Sequence, residues 1–102
     1  MKKLQRITAC FAFIFNVEYN SLRGLIDTKE KIQCAVIARD LLGLSWRELG
    51  VYFNINKKYL EHKAQDLRIE VELNDVLFCK LQGVQKLWSL MNVDGLNELN
   101  DA

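Results

Sequence analysis

The window SWRELGVYFNINKKYL, residues 45 to 60, restricts the fold of this chain more than any other part of it. Ser45 and Glu48 have the spacing of a capping box, in which each side chain bonds the backbone at the start of a helix. Gly50 follows inside an apolar run, where a small residue allows two helices to cross closely. The window therefore predicts a short helix, a tight turn and a second helix, which is a helix-turn-helix over about residues 45 to 70.

The rest of the chain also has the pattern of helices. It contains no proline and only five glycines, which is typical of long helices with few rigid turns. Apolar residues recur at helical spacing in further segments. These predicted helices cover about residues 3–16, 28–42, 57–70 and 74–90. We predict an all-α, multi-helix domain over residues 1–92, followed by a polar and frayed tail at 93–102.

The charge is unevenly distributed along the chain. The formal net charge is only +1, so composition alone does not indicate a nucleic-acid partner. Residues 1–69, however, hold 12 Lys and Arg against 7 Asp and Glu, whereas residues 70–102 hold 2 against 6. This asymmetry is compatible with a basic binding surface in the first part of the chain and an acidic segment after it.

Cysteine usage and the N-terminal region indicate a cytoplasmic protein. Cys10, Cys34 and Cys79 are widely spaced and form no C-x-x-C pair, which favours free thiols in a reducing compartment. The apolar run at residues 7–17 is shorter than the roughly 20 residues that a membrane-spanning helix needs, and no small-x-small cleavage site follows it. We interpret it as a buried helix rather than a signal sequence, and we expect no membrane partner.

The candidate binding residues lie on the outward side of the second motif helix. In DNA-binding proteins of this type that side enters the major groove, where lysine reads guanine, glutamine reads adenine and glutamate accepts from cytosine. The predicted base-facing residues are Asn56, Lys57, Lys58, Glu61, His62 and Gln65. The predicted backbone-phosphate contacts are Lys29, Lys31, Arg47 and Lys63. The expected partner is double-stranded DNA, with the 57–70 helix in the major groove.

Catalysis finds no support in the sequence. There is no G-x-S-x-G, no glycine-rich phosphate loop and no carboxylate pair beside a histidine. His62 is the only histidine, and no cluster of cysteine or acidic residues completes a metal site around it. We expect a protein that is not an enzyme and needs no metal or other cofactor.

Residues 7–68 resemble the C-terminal DNA-binding domain of the bacterial replication initiator DnaA, and more broadly the Trp-repressor-like group. The matching residues are Asn16-Val17, Leu22-Arg23, Ala38-Arg39-Asp40-Leu41, Leu44-Ser45, Glu48-Leu49-Gly50 and Phe53. The resemblance implies the fold of that domain and its mode of docking in the major groove.

The base-reading signature of that family is missing from this chain. The family continues with a Gly-Gly-Arg-Asp-His-Thr-Thr run, whereas this chain has Asn54 to Leu60, NINKKYL, with a turn one residue shorter. Its Arg-Pro-Arg is replaced by Lys29-Glu30-Lys31, which retains positive charge but loses the bidentate geometry of arginine. Origin-box specificity and initiator activity are therefore not implied.

Two functions remain open from the sequence. The first is a small DNA-binding regulator of transcription or replication. The second is a protein–protein interaction module that kept the fold but lost DNA binding, which the near-neutral charge favours. The helix at 71–91 bears on both, because its apolar stripe of Leu77, Leu81, Val84 and Trp88 can pack on the domain itself or form a homodimer.

Overall fold

The computed structural model describes residues 2–93, and within them every regular element is a helix. The elements are α1 Lys2–Phe15, a 3₁₀ helix Tyr19–Arg23, α2 Lys29–Leu42, α3 Trp46–Phe53, α4 Lys57–Leu73 and α5 Asp75–Val93. The predicted all-α, multi-helix class is confirmed. The predicted frayed tail lies outside the described residues, except for Val93, which ends α5.

Short polar side chains fix the ends of α2 and α3. The Thr28 hydroxyl accepts a hydrogen bond from the Lys31 backbone N–H at the start of α2. Gly43 ends that helix with a left-handed backbone at φ 67°, which a glycine adopts without steric cost. Ser45 and Glu48 form the predicted capping box at the start of α3. These local signals determine where α2 stops and α3 begins.

Helix α1 runs through the centre of the core, with Leu4, Ile7 and Phe11 almost fully buried. Helix α5 packs along it in the antiparallel direction. The Met91 sulfur lies 3.2 Å from the Cys10 sulfur near one end of the pair, and Gly83 faces Ile14 near the other. α1 is therefore covered by α5 as well as by α2.

The apolar stripe of α5 belongs to this core. Leu77 and Val84 are buried, while Leu81 and Trp88 pack against the core with partial exposure. Of the two predicted roles of the stripe, the structure shows packing on the domain itself. A homodimer through the 71–91 helix stays a prediction.

A buried lysine connects three separate segments. The side chain of Lys31 is fully buried, and its Nζ donates to the Gly24 carbonyl at 2.7 Å, to Asp27 Oδ1 at 3.0 Å and to the Asn54 carbonyl at 3.1 Å. These acceptors lie in the loop after the 3₁₀ helix and in the turn between α3 and α4. The single ammonium group thus holds that loop against the turn, and three acceptors compensate it for lost hydration.

Candidate nucleic-acid interface

The turn between α3 and α4, residues 54–56, is packed tightly on Gly50. The Gly50 carbonyl accepts hydrogen bonds from the backbone N–H groups of Asn54 and Ile55. A Cβ atom at Gly50 would lie 2.7 Å from the Ile55 carbonyl oxygen, a distance that real Cβ atoms essentially never show. The glycine was predicted from the crossing of two helices, but its closest neighbour is the backbone of the turn.

Asn54 and Asn56 shape this turn at the backbone level. Asn54 adopts a left-handed conformation at φ 58° and ends α3. Asn56 then begins α4, and its Oδ1 accepts from the backbone N–H groups of Lys58 and Tyr59. Because this oxygen caps the helix, Asn56 contributes to the candidate interface mainly by fixing where α4 starts.

The remaining candidates on α4 share one solvent-facing side. Leu60, Ala64 and Leu67 are buried on the opposite side. The exposed candidates are Lys57, Lys58, Glu61, His62 and Gln65. The side of α4 that faces away from the core is thus polar along its first nine residues.

Arg47 and the exposed lysines at the start of α4 supply positive charge without engaging other parts of the protein. Arg47 is exposed in the first turn of α3. Among residues 2–93, no hydrogen bond, ion pair or ring contact engages the side chains of Arg47, Lys57 and Lys58. Their charged groups therefore remain accessible to an anionic partner.

The structure corrects the prediction for Lys31. A phosphate contact requires an ammonium group at the surface, but the side chain of Lys31 has 0% exposure and all of its hydrogen bonds are to the protein itself. Lys31 is therefore an internal structural residue. The prediction of a phosphate contact was wrong because it assumed that a charged side chain in the first turn of a helix is solvated, as such side chains normally are.

Lys29, which lies beside α4, and Lys63, which belongs to it, already contact other side chains. Lys29 Nζ forms a 2.6 Å ion pair with Glu70, and this hydrogen bond raises the pKa of the lysine amine. Lys63 is half-buried, with Nζ 5.6 Å from the centre of the Tyr59 ring. Because an exposed ion pair contributes little to stability, Lys29 can exchange Glu70 for a phosphate at small cost.

Arg23 is a cation at this surface that was not among the predicted site residues. Its Nε donates to the Tyr52 carbonyl at 2.9 Å, and its guanidinium carbon lies 3.9 Å from the centre of the Tyr52 ring. The sequence places Arg23 in a loop, but no spacing rule predicts that this loop lies against α3.

A pair of tyrosines forms a hydrogen bond beside Arg23. The hydroxyl groups of Tyr19 and Tyr52 are 3.1 Å apart. Burial, followed by this hydrogen bond, raises the pKa of Tyr19 to about 12. The pair joins the 3₁₀ helix to α3 beside Arg23.

No group of three or more His, Cys, Asp or Glu side chains within residues 2–93 is placed to hold a metal ion. None of the helices in that range is long and apolar enough to cross a membrane.

Comparison with protein-family models, with curated proteins and with solved structures found no match. The resemblance to the initiator domain, and to the Trp-repressor-like group, therefore remains a prediction from the residues quoted above.

Proposed function

We propose that the protein is a helix-turn-helix regulator that binds double-stranded DNA with α4 in the major groove. The observation that carries the proposal is the start of α4. There, a turn packed on Gly50 is followed by Lys57 and Lys58, which are exposed and make no ion pair with the described residues. A rigid helix N-terminus with accessible cations suits a polyanion.

The dimensions of α4 suit this mode of docking. The polar part of its exposed side runs from Lys57 to Gln65, which is about 12 Å at 1.5 Å per residue. The major groove of B-DNA is about 12 Å wide, so this segment crosses it once. In this docking mode we assign Lys57 and Lys58 to backbone phosphates, together with Arg47, rather than to the base edges that the sequence predicted for them. Glu61, His62 and Gln65 face the base edges.

A salt titration of DNA binding tests the proposal. Anisotropy of a fluorescent duplex of mixed sequence should show binding that weakens steeply as salt is raised, because each phosphate contact releases counterions. The double variant Lys57→Ala/Lys58→Ala should bind more weakly at every salt concentration. Its log–log salt dependence should be shallower by about 2, which corresponds to two lost phosphate contacts.

Lys86→Ala is the matched control, because it removes an exposed lysine from α5. It should leave both affinity and salt dependence close to those of the parent protein. If the control and the double variant lost DNA affinity equally, α4 would not dock in the groove. Absence of binding to any duplex at low salt would reject DNA as the partner.

A second candidate function is recognition of another protein, and exposed apolar side chains favour it. Leu25 and Ile26 are 89% and 77% exposed in the loop that Lys31 ties to the turn. Val51 is 79% exposed on α3. Large apolar side chains at the surface are more typical of a protein interface than of a phosphate contact. Under this alternative, Leu25→Ser/Ile26→Ser abolishes the partner interaction, and the α4 lysines are dispensable.

A further inference from the structure

A groove with a volume of about 480 Å³ lies between α2, α4 and α5. Its size is within the range of sites that bind small molecules. Buried and half-buried apolar side chains form its floor, among them Ile37, Leu67, Val71 and Leu81. Such a floor favours the hydrocarbon part of a ligand, because covering it removes apolar surface from water.

One buried polar side chain lines this groove and has no partner. Gln33 of α2 is only 3% exposed, and it forms part of the wall of the groove. Among residues 2–93, no hydrogen bond engages its side-chain amide. A buried amide without a partner costs free energy that a hydrogen bond would recover. A molecule in the groove that carries a donor or an acceptor would therefore gain from contact with Gln33.

Gln33 also borders two smaller hollows, of about 340 Å³ and about 210 Å³. Both are lined by Lys29 and Glu70, which already form an ion pair with each other. The larger groove contains no such pair and has the more extensive apolar floor. It is therefore the hollow that suits a molecule with both an apolar body and a polar end.

The rim of the groove carries charged side chains that the protein does not pair. Asp40, Arg68 and Glu72 are exposed there, and no ion pair engages them within the described residues. Arg68 and Glu72 are four residues apart on α4, so their opposite charges offset each other. Asp40 of α2 has no such counterpart in the lining of the groove. The rim thus has one uncompensated negative charge, which favours a cationic group.

The positions of Gln33 and Asp40 set the length of a ligand that reaches both. They are two helical turns apart on one side of α2, which corresponds to about 10 Å along the axis. Phe78, which is 46% exposed, also lines the groove and adds aromatic surface to it. An extended molecule with an apolar body between two polar ends matches this arrangement.

We propose that the groove between α2, α4 and α5 binds a small amphipathic amine. Its ammonium group pairs with Asp40 at the rim, and its apolar body lies on the floor. A hydroxyl or amide group at its other end forms a hydrogen bond with the Gln33 amide. The proposal does not depend on DNA binding, because none of the candidate DNA contacts lines the groove.

Titration of the isotope-labelled full chain with tyramine tests the proposal, with backbone amide shifts in two-dimensional NMR spectra as the readout. Tyramine has a phenolic hydroxyl at one end and an ammonium group at the other. The shifts should saturate and should be confined to residues around the groove. The dissociation constant should be on the order of 1 mM, as expected for a molecule of about ten non-hydrogen atoms.

Two related probes separate the contributions of the two ends. Phenethylamine lacks the hydroxyl group, so it should bind roughly three- to tenfold more weakly because Gln33 stays without a partner. The third probe, para-hydroxyphenylpropionate, keeps the hydroxyl but carries a carboxylate in place of the ammonium group. It should not bind measurably, because Asp40 repels the carboxylate.

Variants of the chain assign these effects to residues. Gln33→Met keeps the size of the side chain but removes the amide, so tyramine and phenethylamine should bind to it equally. Its thermal midpoint should be at or above that of the parent protein, because an unpartnered buried amide is lost. Asp40→Asn should weaken binding of both amines about threefold, as is typical of an exposed ion pair. Glu18→Gln, which removes an exposed carboxylate outside the groove, should leave both affinities unchanged.

Several results would overturn the proposal. One is the absence of saturable shifts in the parent protein at tyramine concentrations far above the expected dissociation constant. Others are saturable shifts outside the groove, or binding of para-hydroxyphenylpropionate as tight as that of tyramine. A preference for tyramine over phenethylamine that persists in folded Gln33→Met would show that the amide is not the contact. None of these results bears on the salt titration of DNA binding, so the two proposals can fail separately.

Discussion

At the scale of single residues, Gly50 and Gly83 are both glycines within helices, but they face different surroundings. A Cβ atom at Gly50 would be 2.7 Å from a backbone carbonyl of the turn, which is itself fixed by hydrogen bonds. A Cβ atom at Gly83 would be 3.7 Å from the Ile14 side chain, which is an ordinary contact. The same substitution should therefore have opposite effects at the two sites.

We expect Gly50→Ala to lower the free energy of unfolding by at least about 2 kcal/mol, because the turn must move to accept the methyl group. Gly83→Ala should raise it by up to about 1 kcal/mol, because alanine is the better helix former and has room there. Urea unfolding followed by circular dichroism measures both changes. A neutral Gly50→Ala would contradict the close packing of the turn on α3.

The raised pKa of Tyr19 predicts a loss of stability in alkali. The phenol titrates near 10 in the unfolded chain and near 12 in the folded protein. Between these values the unfolded state loses the proton first, so the free energy of unfolding falls as pH rises from about 10 to about 12. Unfolding curves recorded across that range should show this slope reduced in Tyr19→Phe.

Tyr59→Phe serves as the control for the alkaline slope, because Tyr59 is 41% exposed. Its stability should fall with pH as steeply as that of the parent protein. If Tyr19→Phe retains the full slope, another group is responsible for the alkaline loss.

At the scale of elements, the sequence predicted where the helices begin and end better than it predicted which distant segments pack around them. The capping box at Ser45 and the glycine at position 43 are local patterns, and the structure confirms both. The burial of Lys31 could not be predicted in this way, because it depends on carbonyl groups from positions 24 and 54. Periodicity identifies which side of a helix is apolar, but not which distant segment covers a polar side chain.

Lys31 should therefore contribute more to the free energy of unfolding than any exposed lysine does. Lys31→Met leaves the carbonyls of Gly24 and Asn54 without their donor and Asp27 without its ion pair. We expect the free energy of unfolding to fall by about 3 kcal/mol, as is typical when one partner of a buried polar network is removed. Thermal or urea unfolding provides the measurement.

Lys29→Met is the matched control, since it lies two positions earlier and breaks only the exposed ion pair with Glu70. Its effect should stay within about 1 kcal/mol. Similar losses in the two variants would show that Lys31 is not the internal tie between the loop and the turn. A selective loss in Lys31→Met would also explain how the candidate DNA-binding turn is held in place.

At the scale of the whole molecule, the candidate site follows from how the helices assemble. The sequence predicted the exposed side of α4 because Leu60, Ala64 and Leu67 mark its buried side, and all three are buried. It did not predict which side of α5 would remain exposed, since that depends on the packing of α5 along α1. Only the assembled fold separates the buried side chains of α5, such as Leu77 and Val84, from its exposed ones.

The reactivity of the three cysteine thiols measures how the assembled helices open. Cys10 and Cys34 are buried between packed helices, and burial raises the pKa of both thiols, whereas Cys79 is exposed on α5. A thiol reagent reacts with the thiolate, so in the native protein Cys79 should react first. Cys10 and Cys34 should react only through opening of the core. Mass spectrometry of timed samples in a Cys79→Ala background follows these two positions alone.

If the domain opens as one cooperative unit, a destabilising change must accelerate both buried thiols by the same factor. Gly50→Ala changes α3, which contains neither of these cysteines. If it lowers the free energy of unfolding by about 2 kcal/mol, it should still raise both labelling rates about thirtyfold, because each 1.4 kcal/mol corresponds to about a factor of ten. A selective increase at one cysteine would instead show that α1 and α2 open separately. Equal acceleration would show that the packing of the turn on Gly50 stabilises the entire described domain, including the helix pair formed by α1 and α5.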